Sequence, residues 1–319
     1  MTSHRIILDT DMGTDVDDAL ALAFALRHPE IEIVAVTTVS GDTALRGHIA
    51  AKLLRLDGSA DIEVAAGERR PIGGEGRMAW FGHEGNGILE EGEEPRISQR
   101  EAVDVIIESL LADESEVVTL GPLSNVATAL AREPRIAQRI SRLTVMGGFF
   151  HRCELDGQVI PPAVDYNLNA DPEAAVLVLS SPIPTIFVPA DVTMRTWLLE
   201  SHLRRMEGKG DALVQALSRL VRIWTPIMTG LFGRAGIKIA ANVAAIPHDP
   251  LAVATVVDRR FVTVKPLFCT VAVVNGFART FIDPAAGRQV EVVTDVDADA
   301  FAEFFLETIG VDKARDRAS

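Results

Sequence analysis

The chain has 319 residues, 48% hydrophobic and 24% charged, with 31 basic against 45 acidic side chains and a net charge of −14. This is globular composition, long enough for one large α/β domain or two smaller ones, and its acidic balance argues against nucleic acid or an anionic membrane as partner. No run approaches the roughly 20 apolar residues of a membrane span, the two distant cysteines suggest neither a disulfide framework nor a metal site, and "MTSHRIILDTD" lacks a signal-peptide pattern, so the reducing cytoplasm is the expected location.

Short β-rich runs alternate with helical patterns along the chain. Strands are predicted at 5–8, 31–39, 62–66, 116–120, 142–146 and 184–189. Helices are predicted near 17–28, 43–57, 98–112, 123–132, 171–181 and 199–207. The alternation predicts an α/β fold, an open, mostly parallel Rossmann-like sheet flanked by helices. Residues 211–232 read as a long helix interrupted near Pro226. Beyond them, 261–274 and 289–294 read as strands of an antiparallel appendage, and 297–309 as a final helix. One domain is expected over 1–312, with 313–319 a frayed charged tail. The stretch 73–95 holds seven glycines with little periodicity; with Trp80, Phe81 and His83 inside it, it reads as a binding loop.

In an open parallel sheet, ligands collect beyond the carboxyl ends of the strands. The first strand runs into "DTDMGTDVDD", with Asp9, Asp11, Asp15, Asp17 and Asp18 inside ten positions. Two like charges 4 Å apart repel by roughly 4 kcal/mol at an effective dielectric of 20. A helix N-terminus offsets only about 0.3–1 kcal/mol per charge. Asp15 or Asp17 as N-cap accounts for one or two aspartates; of the rest, either some point to water or a cation sits among them, and carboxylate oxygens with no Cys or His nearby suit a hard ion, Ca²⁺ or Mg²⁺. An EF-hand is excluded. Counting from Asp9, the sixth and twelfth residues are Thr14 and Leu20; from Asp11 they are Val16 and Leu22, where that loop needs Gly and Glu. Asp171–Pro172 and Asp249–Pro250 both read as helix starts with Asp as N-cap, and His248 beside Asp249 adds a site role. Asn125 reads as a tether for the helix after "GPLS".

Taken together, D-T-D-x-G…D-D-A-x-A at 9–21, "TTVSGD" at 37–42, "LGPLSN" at 120–125, "MGG" at 146–148, "VDYNLNADPEAA" at 164–175 and "HDPLAV" at 248–253 resemble the inosine–uridine-preferring nucleoside hydrolases, in that family's order. The resemblance implies a Ca²⁺-dependent N-ribosyl hydrolase on an open α/β sheet, a small-molecule nucleoside as ligand, and a homodimer or homotetramer. It implies Asp11 as general base and calcium ligand, with Asp18, Asp249 and the Leu120 carbonyl as further ligands. Asp17 and Asn167 match residues that hold the ribose hydroxyls. Asp165, where the family usually has Glu, matches a group near the sugar's 5′ end. His248, with a pKa near neutrality, matches the histidine by the leaving base and points to pyrimidine- or broadly-accepting members. "HEGNG" resembles the loop that brings His83 to the base pocket, and Asp42 stands where many members have a substrate-binding Asn. Two departures stand out: the first motif is two residues longer than the commonest form, and 149–162 lacks the Asn that many members contribute.

Two other readings compete. One is a haloacid-dehalogenase-like phosphatase with Asp9 as nucleophile, although Gly13 stands where its D-x-D-x-T/V motif has Thr or Val. The other is a calcium-dependent nucleoside- or ribose-binding protein without turnover.

Overall fold

The structure is a computed structural model that describes residues 3–74, 80–208 and 211–311; the expected tail at 313–319 lies outside the described residues. The first half of the chain runs β1 (His4–Thr10), α1 (Asp17–Arg27), β2 (Ile31–Thr38), α2 (Thr43–Asp57), β3 (Glu63–Ala66), α3 (Ala102–Ala112), β4 (Ser115–Thr119), α4 (Ser124–Arg132) and β5 (Ile140–Met146). A hairpin of β6 (Cys153–Leu155) and β7 (Gln158–Ile160) follows. Then come α5 (Tyr166–Ala170), α6 (Pro172–Leu179), β8 (Thr185–Val188), α7 (Ala190–Thr193), β9 (Leu198–Leu199), α8 (Glu200–Glu207), α9 (Ala212–Arg234), β10 (Val243–Ala245) and α10 (His248–Val257). The chain closes on β11 (Val262–Val274), β12 (Phe277–Ile282), β13 (Arg288–Val296) and α11 (Ala298–Thr308).

Nine strands form one sheet in the order β12-β11-β13-β8-β5-β4-β1-β2-β3. From β13 to β3 every pairing is parallel, and only the two pairings of β11, with β13 and with β12, are antiparallel. The predicted antiparallel appendage is therefore part of the main sheet, because β13 continues the parallel series beside β8. Alternate residues of the central strands feed two cores. Ile6 and Leu8 face α1, α9, α10 and α11, whereas Ile7, Val117 and Val145 face α3, α4 and α6, as the two-residue period of a strand requires. Helix α1 is buried from Asp17 to Ala25, which suits its apolar, alanine-rich sequence and places it at the centre of one layer.

Helix α9 runs without interruption through Pro226. Proline frees the carbonyl four residues earlier, that of Arg222. Both residues lie on the solvent-exposed side of the helix, where water satisfies that carbonyl and the chain need not break.

The strand order reverses direction between β1 and β4, which is the switch point at which open sheets bind ligands. Asn125 ties this point together. Its Nδ2 donates to Asp9 Oδ1 (2.7 Å) and to the Thr38 carbonyl (3.0 Å), and its Oδ1 accepts from Glu68 N (2.8 Å). It tethers three strand ends rather than capping its own helix. Among the described residues, no helix is long and apolar enough to cross a membrane.

Candidate active site

Beyond β1 the chain turns through Gly13, whose φ of +109° few other residues adopt, and enters α1 at Asp17. Neither Asp15 nor Asp17 is the N-cap expected from sequence; Val16 holds that position, without a side-chain cap. At α10, Pro247 is the N-cap and Asp249 lies inside the first turn. Asp17, Asp18 and Asp249 thus sit past the cap positions, and their carboxylates turn toward one another. Asp17, Asp18 and Asp249 bring carboxylate oxygens within 4.8 Å of each other, all buried. The paired N-termini of α1 and α10, which pack side by side, lend partial positive charge to the spot. Asp171, by contrast, caps α6 as expected, accepting from Ala174 N at 3.1 Å.

Burial dominates the electrostatics of this cluster. It pushes Asp11 up from the ordinary carboxylate range, and burial plus mutual repulsion push Asp17, Asp18 and Asp249 well above it. Asp15 is raised to about 8 for the same reasons. The cation that draws Asp11 and Asp18 back down is the guanidinium of Arg46. That group is fully buried, but its donors go to main-chain and hydroxyl oxygens: the carbonyls of Ser40, Asp11 and Met12, and Thr14 Oγ1. Among the described residues, no cation is paired with these carboxylates, which form a cluster of hard oxygen donors. This donor set fits a divalent ion that prefers oxygen ligands.

Asp9 lies outside that group. It is completely buried, with Oδ1 accepting from Thr37 Oγ1 (2.6 Å) and Asn125 Nδ2 (2.7 Å), and burial raises its pKa to about 7. A carboxylate sealed in this way cannot reach a phosphoryl group, so the phosphatase reading is set aside.

A cleft of about 480 Å³ opens over the cluster, lined by Asp11, Asp15, Asp17, Asp18, Leu120, Asp165, Asn167, His248 and Asp249 together with apolar side chains. Asn167 Nδ2 donates to the Leu120 carbonyl (2.6 Å) and the Met146 carbonyl (3.1 Å), so its amide nitrogen is directed at backbone. Asp165 caps α5 through Leu168 N (3.0 Å), and burial raises it to about 6. His248 Nδ1 lies 2.6 Å from Thr193 Oγ1. Burial lowers the His248 pKa to about 4, which corrects the expectation of a value near neutrality: the ring is neutral at physiological pH.

Two predicted substrate residues are placed elsewhere. Asp42 is the N-cap of α2, accepting from Leu45 N at 3.2 Å, and does not line the cleft. His83 stacks on Trp224 with ring centroids 5.9 Å apart, and its Nε2 is 2.9 Å from the Thr14 carbonyl. It faces a small neighbouring cavity with Asp15 and Asn86. Sequence reasoning missed Arg46 and Thr193. Arg46 had a signal: with Ile49, Ala50 and Leu53 it occupies the buried face of α2 at i, i+3, i+4 and i+7, where a charge demands a reason.

Gly121 packs against Asp11 so closely that an added Cβ would lie 2.7 Å from Asp11 Oδ1. Gly121→Ala is therefore expected to displace that carboxylate by a fraction of an ångström or more. Misplacement by about 1 Å costs catalysis on the order of 100-fold. Steady-state kinetics at unchanged thermal stability is the check; a variant within threefold of the parent would refute the close-approach argument.

The strand-end carboxylate cluster lies at the switch point of an open parallel sheet, the place of a ligand site in this class of α/β protein. Comparison with known proteins places it further: the chain belongs to the inosine-uridine preferring nucleoside hydrolase family, whose sequence model matches residues 6–303. It is 36% identical over 229 residues to an uncharacterised protein of Schizosaccharomyces pombe (strain 972), covering 69% of this chain and 70% of that one. It is 28% identical over 315 residues to the pyrimidine-specific ribonucleoside hydrolase RihB of Escherichia coli (strain SE11), covering 93% and 95%. Among solved structures, a purine-preferring ribonucleoside hydrolase from Gardnerella vaginalis superposes with a TM-score of 0.82 at 26% identity, covering 96% of this chain and 98% of that one. The protein is accordingly an N-ribosyl hydrolase by family.

Proposed function

We propose that the protein hydrolyses the N-glycosidic bond of ribonucleosides to ribose and free base, with a calcium ion held by Asp11, Asp18, Asp249 and the Leu120 carbonyl. The observation that carries this reading is the convergence of buried carboxylates, with no paired cation among the described residues, on the sheet edge where the cleft opens. Bound there, the ion would orient the sugar hydroxyls and lower the pKa of a water. Asp11 accepts the proton of the attacking water. Asp17 accepts hydrogen bonds from a ribose hydroxyl, and Asp165 takes the 5′ end of the sugar. Asn167 acts one step removed, holding the Leu120 carbonyl in place.

The transition state of glycosidic cleavage resembles an oxocarbenium ion, and the anionic side chains around the sugar stabilise its positive charge. His248 serves the leaving base as a neutral ring. With Thr193 Oγ1 donating to Nδ1, Nε2 carries the hydrogen and donates a hydrogen bond that stabilises negative charge on the departing base. Cys153 and Cys269 are free and buried, which suits a reducing compartment such as the cytoplasm.

The test is release of reducing sugar from inosine, uridine, cytidine and adenosine in the presence of calcium. Release from at least one is expected; no release from any of them would overturn the proposal.

A further inference from the structure

One stretch of the cleft wall is apolar. Phe149 and Met194 are buried, Ile160, Phe232 and Ile237 pack against them in one apolar cluster, and all five line the cleft. Four segments build this wall: the turn after β5, the β6–β7 hairpin, the end of α7, and the end of α9 with the residues that follow it. They are fastened together. Gln158 Nε2 donates to the Lys238 carbonyl (3.1 Å), and Lys238 N donates back to Gln158 Oε1 (3.2 Å). Phe149 is held through both main-chain groups by Thr280 Oγ1, each at 3.1 Å. The hairpin occupies the segment where sequence reasoning noted the missing Asn.

If the carboxylates hold the sugar, the remaining cleft receives the base, and the base meets this wall. The polar edge of an unsubstituted purine or pyrimidine gains nothing there in return for the water it loses. An apolar group on the base gains the transfer free energy of its buried surface instead. The cleft volume of about 480 Å³ falls in the range of roughly 300–1,000 Å³ that takes drug-sized ligands.

We infer that the wall formed by Phe149, Ile160, Met194, Phe232 and Ile237 selects ribonucleosides whose base carries an apolar substituent, such as an alkyl or benzyl group on its exocyclic nitrogen or a ring carbon. The inference rests on the nucleoside-hydrolase reading of the site. Contacts to the substituent are made equally before and during bond cleavage, so they lower KM and leave kcat nearly unchanged. Each buried methylene is worth about fourfold.

The test compares N6-benzyladenosine with adenosine and 5-butyluridine with uridine, with calcium present. In at least one pair the substituted nucleoside is expected to show a KM at least about tenfold lower, with kcat within about threefold. Phe232→Ser and Ile237→Ser should each shrink that ratio. Calorimetry on the Asp11→Ala protein supplies the corresponding ratio of Kd values without turnover. Ratios near one in both pairs, with adenosine or uridine hydrolysed, overturn the inference and leave the reading of the site intact. A tenfold Kd ratio without ribose release from any nucleoside supports the inference and overturns that reading.

Discussion

Asp11→Ala is expected to lower kcat by at least about 1,000-fold and, in chelator at pH 8, to raise the melting temperature. The first effect follows from its two roles. A positioned general base contributes about 10²–10⁴-fold, and the same carboxylate is a proposed ion ligand. The second effect follows from the metal-free electrostatics. The charge on Asp11 raises the pKa of Asp9, Asp15, Asp17, Asp18 and Asp249, so its removal relieves five neighbours at once. Residues held in place for chemistry at a cost in stability are a recurrent feature of active sites. Two measurements check the prediction: turnover at saturating nucleoside and calorimetric melting in chelator. Turnover within tenfold of the parent removes Asp11 as base, and a lower melting temperature removes the electrostatic account.

The second large effect concerns pH and metal removal. In the metal-free fold, burial holds Asp9 at about 7 and Asp15 at about 8, with Asp17, Asp18 and Asp249 well above the ordinary value. In the unfolded chain all titrate near 4. Below that pH both states are protonated and nothing is lost. As pH rises from about 4 through the folded-state values, the unfolded chain releases protons that the fold retains, and stability falls. Asp9 alone, raised by roughly three units at about 1.4 kcal/mol each, accounts for about 4 kcal/mol. Chelated protein should therefore melt at a markedly lower temperature at pH 8 than at pH 5. Calcium, by binding the ionised carboxylates of the folded state only, should raise the melting temperature more at pH 8 than at pH 5. Equal calcium shifts at the two pH values would argue against these carboxylates as its ligands.

Much of the fold was legible in the sequence because its signals are local and repeated. Helix α2 was predicted at 43–57 and observed at Thr43–Asp57, and β2, α4, α6 and α11 match their predicted spans within two residues at each end. The β6–β7 hairpin and β12 went unread because three to six residues carry too little periodicity to distinguish from loop. Asp11, Asp17 and Asp18 were legible as a group because so many like charges within ten positions require a common explanation, whereas Asp249 joined them only through the family resemblance. Single polar residues were not. An Asp before a helix reads the same whether it caps, as Asp42 and Asp171 do, or turns into a cleft, as Asp249 does; tertiary packing decides between them. The apolar wall was also hidden, since Phe149, Ile160 and Phe232 carry no mark in sequence that separates a cleft lining from a core.

Asp18 and Asp249 are 249 − 18 = 231 positions apart in sequence, so the carboxylate cluster is a long-range contact. No fragment that lacks either terminus of this pairing contains it, and loop-closure entropy must be overcome before it exists. An ion that recognises the completed cluster has nothing to grip on the partly folded chain. Its contribution then appears in the rate of unfolding rather than in the rate of folding. For this protein, calcium would act as a kinetic lock: it would lengthen the lifetime of molecules already folded and leave the time needed to fold nearly unchanged.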